Sequence, residues 1–140
     1  MPIVWLPRNG GYVKNMKMTG EGFFINEKES LVMDGTFKDG ILDGEGMVVK
    51  YADNLINIRR GSYSNGKENG AVYEYVFPKT LWREFLDKEE GIDSATRYTH
   101  VFQNGAWKST SETTVKKITG FLTKHDEKNH FISFSLVELN

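Results

Sequence analysis

With 140 residues, a formal net charge of −1, 39% apolar and 13% aromatic side chains, the chain can bury one core and is too rich in rings to stay disordered. Its mixed charges make no basic field to grip a phosphate backbone, so nucleic-acid binding is not expected. The absence of cysteine excludes disulfides, thiol catalysis and thiolate metal sites.

Taken in chain order, Met1–Arg8 has neither the basic lead nor the long apolar stretch of a signal peptide, and no later run approaches the roughly 18 apolar residues of a membrane-spanning helix. A cytoplasmic location is the expectation. Asn9-Gly10 has turn chemistry, and Gly20-Glu-Gly22 opens a pattern that soon recurs. Gly35-Thr-Phe37-Lys-Asp-Gly40-Ile-Leu-Asp-Gly44-Glu-Gly46 is echoed by Gly61-Ser-Tyr63-Ser-Asn-Gly66-Lys-Glu-Asn-Gly70-Ala-Val72. Both follow the frame Gly-x-Aro-x-x-Gly-x-x-x-Gly, with Val72 standing where the last glycine falls. Such self-similarity marks stacked supersecondary units.

The segments 38–44 and 64–70 are expected to be turns, because Asp39-Gly40 and Asn65-Gly66 tolerate the positive φ of tight hairpins. Between them Met47–Tyr51, Leu55–Arg59 and Val72–Phe77 are β-rich. In the last, Tyr73, Tyr75 and Phe77 share one face and Val72, Glu74 and Val76 the other. After Pro78 the rhythm breaks. Leu81, Trp82, Phe85 and Leu86 recur at helical spacing, Thr80 suits an N-cap and Gly91 a stop, so a short amphipathic helix is expected over residues 80–90. Beyond it, Thr96–Phe102 and Ile118–Lys124 are expected strands separated by the polar stretch Ser109–Thr114. Phe102-Gln-Asn-Gly105 repeats Phe37-Lys-Asp-Gly40. A hairpin turn over 125–129 would feed a terminal strand over 131–139.

The repeated frame resembles the MORN (membrane occupation and recognition nexus) repeat. That resemblance implies β-hairpins joined in a continuous meander, with aromatics at fixed register and glycines where backbones approach closely. It covers about Thr19 to Tyr75, with a fragment at Phe102–Trp107. The Tyr-x-Gly lead of that family is missing before Gly35 and Gly61, and the helical segment interrupts the array. The expected fold is therefore mostly all-β, an antiparallel meander of MORN-like hairpins forming a curved sheet, in one domain over 1–140. Hairpins of the repeat fill 19–77, the helical insertion 78–91, and further β-hairpins 92–140.

Few residues suggest chemistry. His125 and His130 flank Asp126 and Glu127 without the spacing of a metal motif, and His100, beside Tyr98 and Phe102, is expected to be a partly buried, hydrogen-bonded histidine. Glu21 and Glu45 occupy equivalent positions between glycines and are expected to line up on one face as a surface ladder. No nucleophile elbow, phosphate loop or dinucleotide fingerprint occurs. No catalytic residue, metal ligand or cofactor is therefore assigned. The surplus of aromatics points to a non-enzymatic module, an adaptor or an inhibitor or immunity-type protein, that binds a protein partner through Tyr63, Tyr73, Tyr75, Trp82 and Trp107. The alternative is a small-ligand binder or an anionic lipid surface, which the MORN resemblance also implies. It would use a patch of Arg59, Arg60 and Lys50, on a weak electrostatic basis. An enzyme with an unrecognised site ranks third.

Overall fold

Three dipeptides set the architecture. Asp39-Gly40 (φ 50° and 82°), Asn65-Gly66 (52° and 79°) and Asn104-Gly105 (49° and 85°) each place two successive residues in the left-handed region. This is the two-residue hairpin turn whose twist matches that of the flanking strands. The computed structural model describes residues 3–7, 12–14, 17–26, 29–78, 92–125 and 132–139. The strands are β1 (Ile3–Pro7), β2 (Tyr12–Lys14), β3 (Lys17–Asn26), β4 (Leu31–Lys38), β5 (Ile41–Tyr51), β6 (Leu55–Ser64), β7 (Lys67–Pro78), β8 (Ile92–Gln103), β9 (Ala106–His125) and β10 (Ile132–Leu139). They form one antiparallel sheet in the order β1-β3-β4-β5-β6-β7-β8-β9-β10, with β2 also paired to β3.

The seven-residue turns expected over 38–44 and 64–70 contract to two residues. Lys38 pairs with Ile41 and Ser64 with Lys67, so each strand resumes as soon as the tight turn has reversed the chain. The polar stretch Ser109–Thr114 is also strand. Its Ser and Thr residues pair within Thr96–Val101 of β8, and β-branched threonine suits a pleated, solvent-facing surface. The helix over 80–90 with Trp82, the turn beyond His125 and the Asn9-Gly10 turn lie outside the described residues.

The repeat is real in three dimensions, and it has a third copy. One irregularity in register falls beside the aromatic of each hairpin, at Gly35/Phe37, Gly61/Tyr63 and Val101/Phe102. On the other edge of each strand a regular ladder sets Phe37 opposite Gly20, Tyr63 opposite Gly44 and Phe102 opposite Gly70 of the preceding strand. Each turn glycine then donates its N–H to the preceding unit: Gly40 to the Met18 carbonyl (2.7 Å), Gly66 to Leu42 (2.9 Å) and Gly105 to Glu68 (2.9 Å). The third copy comes later in the chain because the β7–β8 connection is longer than the short Ala52–Asn54 loop between β5 and β6.

A second row of glycines crosses the sheet, with Gly22 paired to Gly35, Gly35 to Gly46 and Gly46 to Gly61; Val72 ends it opposite Gly61. Close approach demands them. A Cβ on Gly35 would lie 2.5 Å from the Glu45 carbonyl oxygen, and one on Gly61 2.4 Å from that of Ala71. The Leu42 side chain lies over the row at Gly35 and Gly46.

Alternation sorts the apolar residues onto two faces. One carries the larger core, including Ile25, Val49, Ile58, Tyr75, Val115 and Ile118; the other carries Phe24, Phe37, Leu42 and Tyr63. Tyr75 on β7 donates a short hydrogen bond to Glu138 on β10, three strands away in sheet order. At about 4.8 Å per strand a flat sheet would hold them too far apart for side chains to meet. The sheet therefore curls into a half-barrel with the larger core on its concave side. Strand β9 makes the corner, pairing with β8 through Ala106–Ile118 and with β10 through Lys117–His125.

Candidate functional site

The convex surface of β6 to β9 carries a connected polar row. The pairings Arg59–Glu74 and Glu74–Tyr98, with His100 opposite Thr110 and Phe102 opposite Trp107, bring side chains from four strands onto one face. Glu74 is the hub. Its Oε2 accepts from Asn57 Nδ2 (2.9 Å) and Arg59 Nε (2.8 Å), and its Oε1 lies 3.0 Å from His100 Nε2. Burial pushes this carboxyl up, but hydrogen bonds from Asn57, Arg59 and His100, with the Arg59 charge, outweigh it and bring it down to about 2. Arg59 also reaches Glu68 at 3.0 Å. Burial acts to lower its pKa, but the two carboxylates hold it above its ordinary value.

The row continues outward. His100 Nδ1 lies 2.7 Å from Thr110 Oγ1, and Trp107 Nε1 donates to the same oxygen at 2.7 Å. The His100 ring is flanked by Tyr98 in parallel (6.5 Å between centroids) and by Phe102 edge-on (6.2 Å). Trp107 is 61% exposed, yet its indole is held from one side. Near it, between the second and third turns, a polar depression of about 490 Å³ is lined by Tyr63, Lys67, Glu68, Asn104 and Ala106.

The expected partner-binding aromatics do not share one surface. Trp107 is exposed on the convex side. Tyr63 is buried in the convex cluster, and Tyr75 is fully buried in the concave core. Tyr73 is half-buried beside that core, with the Arg97 guanidinium 4.8 Å above its ring. Trp82 lies outside the described residues. Buried rings offer a partner no area, so Tyr63 and Tyr75 act in packing. Burial, with a further contribution from Glu138, pushes the Tyr75 hydroxyl up to about 12.

The expected cationic patch does not assemble either, because adjacent strand residues point to opposite faces. Arg59 is engaged by Glu68 and Glu74 on the convex side, whereas Arg60 is on the concave side, donating to the Tyr75 hydroxyl at 3.3 Å. Lys50 is exposed on β5. Glu21 and Glu45 do lie on one face, on β3 and β5 with β4 between them, and Glu45 accepts from Ser62 at 2.6 Å. His100 is the partly buried, hydrogen-bonded histidine expected; His130 and its acidic neighbours lie outside the described residues. Among the described residues no three His, Asp or Glu side chains converge as metal ligands, and no helix is long and apolar enough to cross a membrane.

Glu74, Thr110 and Asn57 escaped the sequence reading. Counting outward from Asn104-Gly105 aligns Phe102 with Trp107. Thr110 reaches His100 only when one register irregularity is allowed beside Phe102, as the two earlier copies of the repeat prescribe. Compared with family models, with curated proteins and with solved structures, the chain matches none.

Proposed function

We propose that the chain is a MORN-like hairpin array that serves as a non-enzymatic interaction module, binding a protein partner on the convex face around Trp107. One observation carries this reading: a tryptophan 61% exposed whose indole is nevertheless fixed by a 2.7 Å hydrogen bond to Thr110. Exposed indoles dominate binding energy at protein interfaces, and an anchor already immobilised loses little conformational freedom on docking. The polar row beneath it, Arg59–Glu74–His100, is satisfied within the chain. It thus supplies a rigid, nearly neutral floor in place of a cationic surface for lipid. The complementary partner is a protein with an apolar pocket sized for an indole. The cysteine-free chain suits a reducing compartment, and the cytoplasm is the location this reading adopts.

Affinity capture from the native host tests it. Wild-type protein retains a specific protein that Trp107→Ala releases, a loss of about 2 kcal/mol or more for a hot-spot indole. Unchanged circular dichroism and melting show the variant folded. Equal capture by both forms, or none by wild type, ends the proposal.

A further inference from the structure

With His100 neutral, the ends of the convex row fix the direction of every hydrogen bond along it. The Glu74 carboxylate, held ionised by Asn57 and Arg59, only accepts, so His100 presents Nε2–H to it across 3.0 Å. That tautomer leaves the Nδ1 lone pair facing Thr110 Oγ1 at 2.7 Å. At the other end the Trp107 indole only donates, so Oγ1 accepts from it and turns its own proton toward His100. The result is a carboxylate, an oriented imidazole and a polarised hydroxyl in series, the arrangement that activates a hydroxyl nucleophile. Two details add to it. The His100 and Glu74 side chains are only 12% and 14% exposed while Thr110 is open to solvent, so the base is sheltered and the hydroxyl accessible. The Trp107 N–H, donated to the same oxygen, fixes the rotation of the hydroxyl so that its proton faces His100.

We propose that Thr110 is a self-acylating residue, which accepts an acyl group from an activated ester with His100 as general base and Glu74 as its positioning residue. In the step, Thr110 Oγ1 attacks the acyl carbon while its proton passes to His100 Nδ1. The new Oγ1–C bond forms as the bond from acyl carbon to leaving oxygen breaks, and His100 returns the proton to the leaving group or to water. No oxidant, reductant or metal takes part. The product is an ester on the convex surface, next to the indole assigned above to partner binding but chemically independent of that role.

Treating the full chain with p-nitrophenyl acetate tests the proposal, with acetyl groups located by mass spectrometry before and after brief alkaline hydroxylamine. Hydroxylamine cleaves esters and spares amides on lysine. A hydroxylamine-labile acetyl group on Thr110 is expected, retained in Thr110→Ser and absent in Thr110→Val. It forms about 10²-fold more slowly in His100→Gln, the scale of general-base assistance. Glu74→Gln slows it as well. Trp107→Phe keeps an aromatic side chain but has no N–H to hold the Thr110 hydroxyl, giving a second slowed variant should His100→Gln fail to fold. Acetyl groups confined to amines, or Thr110 labelled as fast in folded His100→Gln and Trp107→Phe as in wild type, overturn the assignment.

Discussion

Gly61 shows how little room the sheet leaves at its glycine row. A methyl group there would sit 2.4 Å from the Ala71 carbonyl oxygen and 2.9 Å from the Val72 Cα, both backbone atoms that cannot swing away. Gly61→Ala is expected to cost about 1–3 kcal/mol by overpacking. Gly70 has open space within 4 Å and only its φ of 90° to protect it, so Gly70→Ala costs about 1 kcal/mol of backbone strain. Urea midpoints of the two variants give the order directly, and a larger loss at Gly70 would mean that contact across the row is not what selects glycine. Chemistry-bearing residues were legible at this scale only in part. The face of His100 followed from alternation, but its partners Glu74 and Thr110 come from two different strands. Which rings are hidden depends on tertiary packing: Tyr75 and Trp107 are both large aromatics in strands, and only the neighbours each finds in the folded sheet make one core and the other surface.

Among the elements, hairpin turns were the most legible because their dipeptides act locally, and β9 the least. A run of serine, threonine and charge looks like loop until β8 lies beside it, pairing Thr99 with Ser111 and His100 with Thr110. The closing of β10 over β7 was not legible at all, since nothing near Glu138 in sequence marks Tyr75 as its partner. That contact is a clamp. Glu138 takes the Tyr75 hydroxyl and the Arg97 guanidinium, the latter at 2.6 Å, while Arg60 Cζ lies 5.6 Å from the Tyr75 ring. Burial pushes the Glu138 carboxyl up, yet the bonds from Tyr75 and Arg97 prevail and hold it below the ordinary carboxylate range. Tyr75→Phe keeps the ring and removes the hydroxyl, and is expected to cost about 1.5–3 kcal/mol, the worth of a hydrogen bond to a charged group. Hydrogen exchange locates the effect: β10 amides lose protection before those of β4 to β6. Uniform loosening of the sheet would show that β10 is not separately fastened.

For the molecule as a whole, the two carboxylate hubs set the response to acid. Both Glu74 and Glu138 bind protons less readily folded than unfolded. For Glu74 the stabilisation is complete above its unfolded value of 4.5 and is lost as pH falls toward about 2. Urea midpoints should therefore hold steady down to pH 4.5 and then decline, and Glu74→Gln should remove part of that decline while lowering stability at neutral pH. A variant whose acid profile parallels wild type would place the acid sensitivity elsewhere. The serial build of the sheet has a mechanical counterpart. Each hairpin tip is tied to the unit before it by its turn glycine N–H, joined at the second and third tips by Asn65 N–H on Asp43 and Asn104 N–H on Asn69. Tension between the chain ends therefore reaches one unit at a time, as in opening a zipper. The bond from Tyr75 to Glu138 bypasses the last of those links. Load arriving at the C-terminal strand is thus delivered straight to β7, and the final hairpin is shielded until that bolt shears.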